Sequence, residues 1–426
     1  MRQVNIALMD QVLVSGCNFL ISIILARFLS ASEFGLYIFA FTALVFAVGF
    51  TNNAVFSAVS VIGASVEDEK WIKVYRSAII LFLIASLGLI SLFLCLAYTL
   101  NRINYELNGY ILKVTAATLF FYLSQEFFRR ILFTRLKGFR ALVIDGVTYL
   151  PRVGLIYLAC MLNRNSATAH YAVYVIGITS ALGALVGFLW SNGLYVIRRF
   201  EIDRPSMRRL VHNSKWMIAE WFPFVVAGSL YVYVVAFMLG NEYNGILGAC
   251  RNLVQPITIL LLSITNIALP FYSRLFSGKG PSETVRHILK FFGLLSMAVL
   301  CYLLVVNIFA DSILTLLFGK YANHGPEVFL FSLANLFIFL LKPVETYLKA
   351  SLRPKMLFKA RAISAGISVV SVVPMISLLG LSGALYSYVL TEAIMCMSAY
   401  YFLFTTEESA FLSMLWGRKA HFAKKK

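Results

Sequence analysis

Three basic residues, Arg152, Arg251 and Lys342, lie inside long apolar stretches of the sequence. An ionisable side chain within a bilayer costs several kcal/mol, so each needs a ligand, a partner or water. Basic groups there suit a phosphate-bearing ligand, because a guanidinium offers phosphate oxygens a planar fork of donors. Each could instead pair with an acidic residue and serve packing alone. Asp145, two turns before Arg152 on the same helical face, keeps both interpretations open for that arginine.

Two of these apolar stretches also repeat polar side chains at spacings of three and four residues, which places each set on one helical face. The sets are Gln11, Ser15, Asn18 and Ser22, and Arg251, Gln255 and Thr258. Such rows either hold helices together in lipid or line a water-filled cavity. The arginine in the second row favours a cavity. We therefore predict a ligand-binding set of Arg251, Arg152, Lys342, Asn18 and Gln255.

Acidic residues in the apolar stretches are candidates for exchanging a coupling ion, either a proton or Na⁺. They are Glu392, Asp10, Glu220 and Asp145. Glu392 is central in its stretch and has no obvious partner in its own helix. Asp10 and Glu220 lie near the ends of theirs, which favours simple solvation. Local helical ion pairs are predicted for Glu126 with Arg129 and Arg130, and for Lys342 with Glu345.

Enzymes, metal centres and nucleic-acid binders are disfavoured by the rest of the sequence. The six cysteines fall in or beside apolar stretches, the five histidines are scattered, and no phosphate-binding loop is present. A membrane-bound polymerase or glycosyltransferase usually needs a large loop with paired carboxylates, and none is visible. A scaffold without transport would leave the intramembrane charges unexplained. We therefore expect no catalysis, no cofactor and no metal.

The elements that must position these residues are membrane-spanning helices. The chain has 426 residues, of which 60% are hydrophobic and 13% charged, whereas a soluble domain is about half apolar and a quarter charged. Stretches of about 20 apolar residues cross a bilayer, and lipid forces them to be helical. Twelve spans are predicted at about 5–28, 34–62, 74–99, 111–134, 141–162, 170–197, 216–239, 246–270, 288–309, 327–350, 358–379 and 381–404.

The 37 Lys and Arg residues lie mostly in alternate connections, which predicts that both termini are cytoplasmic and excludes a nucleic-acid surface. A shift of about 210 residues superposes the sequences of the two halves and places Asp10 on Glu220. Each half has six spans, an even number, so both halves enter the membrane from the same side. We predict two parallel six-helix lobes, 1–197 and 216–404, around a central cavity. A cytoplasmic linker, 198–215, joins them, and a basic tail, 405–426, lies on the anionic inner membrane surface.

Three segments resemble the polysaccharide (O-antigen, Wzx-type) flippases of the superfamily that includes multidrug and toxic compound extrusion transporters. LARFLSASEFGLY, Leu25 to Tyr37, is similar to the link between their first two spans. DSILTLLFGKY, Asp311 to Tyr321, resembles the segment before the tenth span, and LLGLSGALYS, Leu378 to Ser387, the turn between the last two. The second-half copy of the Gly-x-Tyr element, at Gly245, lacks the tyrosine.

The resemblance implies a multi-pass inner-membrane protein that moves undecaprenyl-pyrophosphate-linked oligosaccharide from the cytoplasmic to the outer leaflet by alternating access. Its partners would be that lipid-linked substrate, membrane lipids and, in addition, polysaccharide polymerase and chain-length machinery, with no nucleic acid. Peptidoglycan lipid flippases resemble the chain less, because they typically carry two more spans. The alternative is a cation-coupled multidrug-type antiporter on the same fold.

Overall fold

Helix is the only regular structure in the part of the chain that the structure describes. The structure is a computed structural model that describes residues 2–65, 67–162, 168–191, 193, 203–351 and 353–406. Most of the predicted tail, and residues 198–202 of the predicted linker, lie outside these ranges. The described part of the linker, 203–215, is not a loop, because a helix begins at Arg204 and continues into the seventh predicted span.

In the described ranges, the first half forms seven α-helices and one turn of π-helix. The helices are α1 Arg2–Phe28, α2 Ala31–Thr51, α3 Ser57–Ser65, α4 Asp68–Arg102, α5 Glu106–Thr134, α6 Gly138–Leu162 and α7 Ala169–Trp190. The π-helical turn, Asn52–Phe56, joins α2 to α3 within the second predicted span. Helix α5 is central to this half, since it packs against α2, α4, α6 and α7, and α1 packs against α6.

The second half, where the structure describes it, forms five helices, two of which contain a sharp break. They are α8 Arg204–Met238, α9 Asn241–Ile308, α10 Ala310–Phe318, α11 Gly325–Ala350 and α12 Pro354–Thr406. Helix α9 breaks at Gly280, with φ 82°, and α12 breaks at Gly380, with φ 59°. Left-handed backbone of this kind favours glycine, which has no Cβ to clash with the following carbonyl. Helix α11 packs against α12.

The helical segments follow the predicted spans in order when α2 and α3 are joined and α9 and α12 are divided at their glycines. Nine described helices are long and apolar enough to cross a membrane, and one of them, 355–405, covers two predicted spans. The predicted spans 111–134 and 246–270 are helical but not among those nine. The all-α integral membrane fold is therefore confirmed, whereas the central cavity stays a prediction.

The chain divides into two compact units. The first contains Met1–Phe222 and Leu239–Gly248, and the second contains Pro223–Met238 and Ala249–Lys426. In the first unit, Gly35 of α2 lies so close to the chain at the start of α9 that a Cβ on it would overlap the carbonyl of Asn241. This contact explains why a glycine stands in the first of the three family-like segments.

Candidate transport site: two buried ion clusters

Arg129 of α5 is the centre of a buried ion cluster in the first unit, which we call the N-cluster. Its Nε and Nη2 atoms lie 2.5 Å from Oδ2 of Asp145 in α6 and 2.5 Å from Oδ2 of Asp10 in α1. Its Nη1 atom is 3.3 Å from Glu126, one turn earlier in α5. Nε and Nη2 share one edge of the guanidinium, so a single side chain holds carboxylates from two other helices side by side.

Two further α5 side chains complete the N-cluster. Gln125 donates from Nε2 to Oδ1 of Asp145 at 2.7 Å, and Arg130 lies 3.7 Å from Glu126. The Arg130 side chain is 43% exposed, in contrast to 10% for Arg129. The predicted pairing of Glu126 with both arginines is confirmed. The cluster thus ties α1, α5 and α6 together at one depth.

The helices approach closely behind the N-cluster because α7 carries a glycine there. A Cβ on Gly183 would lie 2.0 Å from Oγ1 of Thr148 and 3.0 Å from the Gln125 side chain. Asp145 and Gln125 are consequently 0% exposed and Asp10 is 1% exposed. The expectation that Asp10 is simply solvated was wrong, because Asp10 is buried where α1 packs against α6 and Arg129 binds it.

Arg152, predicted to contact a ligand, lies fully buried between α5, α6 and α7 at 1% exposure. Its Nε donates to the Thr179 hydroxyl at 3.0 Å and its Nη2 to the Ser180 hydroxyl at 2.8 Å. Its guanidinium also stacks over the Tyr149 ring, 4.4 Å from the centroid. Asp145, the acid two turns away, binds Arg129 instead. These contacts favour the packing interpretation of Arg152, and its ligand role stays a prediction.

Glu345 of α11 is the centre of a second cluster, in the second unit, which we call the C-cluster. Three cations surround this carboxylate: Lys342 at 2.7 Å, Lys349 at 2.6 Å and Arg361 of α12 at 3.3 Å. The Glu345 side chain is 6% exposed, whereas the three cations are 15% to 33% exposed. The predicted pair of Lys342 with Glu345 is confirmed. Three cations around one carboxylate leave an excess of positive charge, and the cations that carry it are more exposed than the carboxylate.

Glu392 of α12, predicted as an ion-coupling residue, lies beside the C-cluster. It is within electrostatic range of Lys342, Arg361 and Glu345. No hydrogen bond or ion pair joins its carboxylate to another residue that the structure describes. Glu392 is therefore a half-buried acid close to cations that are already bound to Glu345.

Helix α9 presents the predicted polar row. Arg251 is exposed, Gln255 is half-buried, and the exposed Thr258 donates to Oδ1 of Asn335 in α11 at 2.9 Å. Arg251 makes no hydrogen bond or ion pair with any side chain in the described ranges. Ten residues separate it from the start of α9, which is about 15 Å of helix. An exposed arginine so far along an apolar helix needs water or a polar ligand.

The remaining predicted site residues belong to neither ion cluster. In α1, Gln11 donates to Ser15 at 3.0 Å, whereas Asn18 is half-buried, so the row holds its own partners in part. Glu220 of α8 is half-buried and has a partner of its own. The structure thus brings Asp10 and Asp145 together in the N-cluster and Lys342 and Glu392 near the C-cluster, and it leaves Asn18 and Glu220 outside both.

Sequence reasoning predicted Arg129 and Arg130 only as local partners of Glu126, and it counted Lys349 and Arg361 only among the basic residues of the connections. Arg129, Arg130 and Arg361 lie several residues inside a helix end, and that depth was the available signal. Lys349, next to the end of α11, carried no such signal. The two clusters also occupy equivalent places, the fourth and fifth spans of each half, with opposite charge. The first half gathers carboxylates around Arg129, and the second gathers cations around Glu345.

Comparison with solved structures shows the transporter fold. An inward-facing multidrug resistance MATE family transporter of the MOP superfamily has a TM-score of 0.75 at 14% identity, covering 92% of this chain and 93% of its own. The lipid II flippase MurJ has a TM-score of 0.69 at 15% identity, covering 97% and 89%. A MOP superfamily transporter from Pyrococcus furiosus has 0.67 at 13% identity, covering 94% of each.

No curated protein matches the chain in sequence. The profile of the polysaccharide biosynthesis protein family matches residues 1–276, well over half of the chain. That match covers α1 to α8, including the whole N-cluster, and extends into α9 past the Arg251 row. The chain belongs to the polysaccharide biosynthesis protein family.

Proposed function

We propose that this chain is a flippase that moves an undecaprenyl-pyrophosphate-linked oligosaccharide, such as an O-antigen repeat unit, from the cytoplasmic to the outer leaflet by alternating access. The C-cluster carries the proposal, because it offers three cations to one carboxylate. A diphosphate is the one part of such a substrate with concentrated negative charge. Arg361 can turn its guanidinium towards phosphate oxygens while Lys342 and Lys349 keep Glu345 satisfied.

The polar row on α9 supports a path for the sugar portion. Arg251 and Thr258 are exposed on α9, and Gln255 lies between them. Lipid does not accommodate such a face without partners, whereas water and sugar hydroxyls supply them. In a water-filled path with low-dielectric walls, the attraction of Arg251 for a phosphate exceeds that in bulk water.

Transport in this proposal is driven by an ion gradient. Asp10 and Asp145 in the N-cluster are the coupling acids of the first half, and Glu392 is the candidate in the second. The sequence contains no phosphate-binding loop for a nucleotide. Collapse of the proton and sodium gradients together should therefore stop export in vesicles, and export that continues unchanged would contradict ion coupling.

We place the protein in the inner membrane with both termini in the cytoplasm, where it would supply polysaccharide polymerase and chain-length machinery on the outer side. Reporter fusions after Lys215 and at the C-terminus should then read cytoplasmic. Fusions at Asn104 and Asn323 should read external. An external C-terminus would contradict the even number of spans.

A cation-coupled multidrug antiporter is the second candidate, favoured by the likeness to MATE transporters. A cationic drug prefers carboxylates that are not already bound. The acids of the N-cluster are held by Arg129. Glu392 makes no ion pair in the described ranges, but it lies beside the cations of the C-cluster, which repel a cationic drug. This distribution of charge favours the anionic lipid-linked substrate.

Reconstituted vesicles distinguish the two candidates. Polyprenyl-pyrophosphate-linked oligosaccharide is placed in one leaflet, and its arrival in the other is followed with a lectin, alongside uptake of a cationic dye. We expect movement of the oligosaccharide and its loss in Arg361→Gln. Lys359→Gln is the matched control, because Lys359 lies two residues away over the Phe402 ring and outside the C-cluster. Dye uptake without oligosaccharide movement would replace the flippase with the antiporter.

A further inference from the structure

Three aromatic rings meet between α8, α11 and α12 in the second unit, in a group that we call the aromatic cluster. The ring centroids of Tyr231 in α8 and Tyr388 in α12 lie 4.8 Å apart. The ring centroid of Phe331 in α11 lies 6.3 Å from that of Tyr231 and 6.1 Å from that of Tyr388. Tyr231 and Phe331 are buried, whereas Tyr388 is half-buried. Two buried rings therefore hold a third that is still partly accessible.

Polar groups without partners surround the aromatic cluster. Arg251 and Glu392 both lie within electrostatic range of Tyr231 and Tyr388. Glu392 follows Tyr388 by one turn of α12, so the two side chains share a helical face. Among the residues that the structure describes, none forms a hydrogen bond with either tyrosine hydroxyl, and none pairs with Arg251 or Glu392. Such groups among membrane-spanning helices need a polar ligand or water.

Helix α9 is held beside the aromatic cluster by a hydrogen bond. Thr258 of α9 donates to Oδ1 of Asn335 in α11 at 2.9 Å. Asn335 follows Phe331 by one turn of α11, and Thr258 shares a face of α9 with Arg251. The bond therefore keeps the exposed guanidinium of Arg251 next to the helices that carry the rings.

The charges of this region determine which kind of ligand suits the aromatic cluster. Glu392 lies within electrostatic range of Lys342 and Arg361 as well. Aromatic rings beside a carboxylate could bind a cation, but the described charged groups oppose one because cations outnumber carboxylates. They are the cations Arg251, Lys342, Lys349 and Arg361 and the carboxylates Glu345 and Glu392. An anionic ligand with a neutral, hydroxyl-rich part fits this distribution better.

Resting on the proposed function, we infer that Tyr388 and Glu392 bind a sugar ring, the one that is joined to the diphosphate of the lipid-linked substrate. The face of a sugar ring carries C–H groups, which are attracted to the negative face of an aromatic ring. Its edge carries hydroxyl groups, which donate to the oxygens of an ionised carboxylate. Tyr388 and Glu392 are one turn apart and offer both contacts to the same ring.

Tyr231 and Phe331 are positioning residues in this site, because they hold the Tyr388 ring. The cations around Glu392 attract the phosphate next to the sugar, so the diphosphate and the sugar bind side by side. Glu392 is also the coupling acid proposed for the second half. In that role, a coupling ion and a sugar hydroxyl would alternate on the same carboxylate.

Two probes that differ only by a sugar test this inference. They are farnesyl pyrophosphate alone and farnesyl pyrophosphate that carries N-acetylglucosamine or galactose on its terminal phosphate. Their dissociation constants are measured by thermophoresis with purified full-length protein in nanodiscs. The ratio of the two constants isolates the sugar, because the diphosphate and the lipid tail are common to both probes.

We expect the sugar to tighten binding to the wild-type protein about tenfold, as one hydrogen bond to a charged group does. In Glu392→Gln and Tyr388→Leu the ratio should fall close to one while farnesyl pyrophosphate still binds. Tyr388→Phe keeps the ring and should keep most of the ratio. Tyr386→Leu and Glu283→Gln are the matched controls, because Tyr386 is an exposed ring two residues away and Glu283 is an exposed acid on α9.

The outcomes separate this inference from the flippase proposal. A wild-type protein that binds neither probe would contradict the flippase and, with it, the sugar site. Binding of farnesyl pyrophosphate that neither sugar strengthens would overturn the sugar site alone, as would a ratio that survives in both Glu392→Gln and Tyr388→Leu. A cationic dye that displaces the probes and no longer binds to Glu392→Gln would make the aromatic cluster a cation site and overturn the inference as well.

Discussion

Substitution of Arg129 tests the most connected contact in the first unit. In Arg129→Gln, the uncharged side chain leaves Asp10 and Asp145 without the cation that holds both at 2.5 Å. Breaking one buried ion pair by removing a partner costs about 3–5 kcal/mol, because the other charge stays buried. Protonation of the abandoned acids limits the loss for the second pair. We therefore expect the free energy of unfolding to fall by about 3–5 kcal/mol.

Arg130→Gln is the matched control for this prediction. Arg130 is the next residue on the same helix, but its side chain is 43% exposed and its single ion-pair distance is 3.7 Å. Loss of this long, partly exposed contact leaves Glu126 bound to Arg129, so Arg130→Gln should cost less than about 1 kcal/mol. Unfolding is followed by the loss of helical circular dichroism as SDS is added to mixed micelles. Equal losses for the two variants, or an unaffected Arg129→Gln, would refute the central role of Arg129.

Three further outcomes are expected. Arg251→Ala should abolish export with normal expression and thermal stability, and Arg251→Lys should restore it in part; normal export or poor insertion of the alanine variant would contradict a ligand role. Glu345→Gln should lower the free energy of unfolding by about 3 kcal/mol, because three cations lose their anion, whereas Glu392→Gln should alter it by less than about 1 kcal/mol and instead change the ion dependence of export. Asp203→Ala should cost about 1 kcal/mol, since the carboxylate caps α8 by accepting the Ser206 N–H at 3.0 Å. The Ser206 hydroxyl and the Ser206 N–H both donate to this carboxylate and lower the pKa of Asp203. The stabilisation is therefore present at neutral pH and is lost as the pH falls below about 4, which unfolding measured against pH would check.

The helices were predictable from sequence because lipid leaves the backbone one way to satisfy its hydrogen bonds. Apolar length alone therefore located the spans. Glycine marked the sharp breaks: Gly380, within a family-like segment, separates the last two spans, and Gly280 separates two earlier ones. What length could not reveal was the π-helical turn at Asn52–Phe56, since its residues are ordinary for a span.

Whether an ion pair was predicted depended on how far apart its two residues are in the sequence. The pairs three or four residues apart, Glu126 with Arg129 and Lys342 with Glu345, were predicted because helix geometry fixes them. The pair of Asp10 with Arg129 joins residues 119 apart, and only the tertiary packing of α1 and α5 against α6 brings them together. That contact also explains why the predicted solvation of Asp10 was wrong. Asp10 lies near the end of its predicted span, which indicated solvent, but a neighbouring helix buries it.

The orientation rule concealed the site for a related physical reason. Lys and Arg near span ends report topology, and Arg129, Lys349 and Arg361 satisfy that pattern. The same residues can serve a second purpose when an acid is within reach. Arg129 and Arg361 lie one or two turns inside their helices, whereas Lys349 lies next to the end of α11 and still binds Glu345. The presence of an acid one turn away therefore indicates the second role better than the side of the membrane does.

The opposite net charge of the two clusters suggests a reason why the chain contains buried ionic groups in both halves. Replacing a buried ion pair with apolar residues of similar volume is often neutral or stabilising, so packing alone gives little reason to keep such groups. Here the same pair of spans in each half keeps them, with acids in excess around Arg129 and cations in excess around Glu345. An acid excess binds a positive ion, and a cation excess binds phosphate oxygens. In the proposed function, the two halves can thus hold the coupling ion and the substrate diphosphate at separate places. Binding of one then need not displace the other directly, and coupling between them would pass through the conformational change itself.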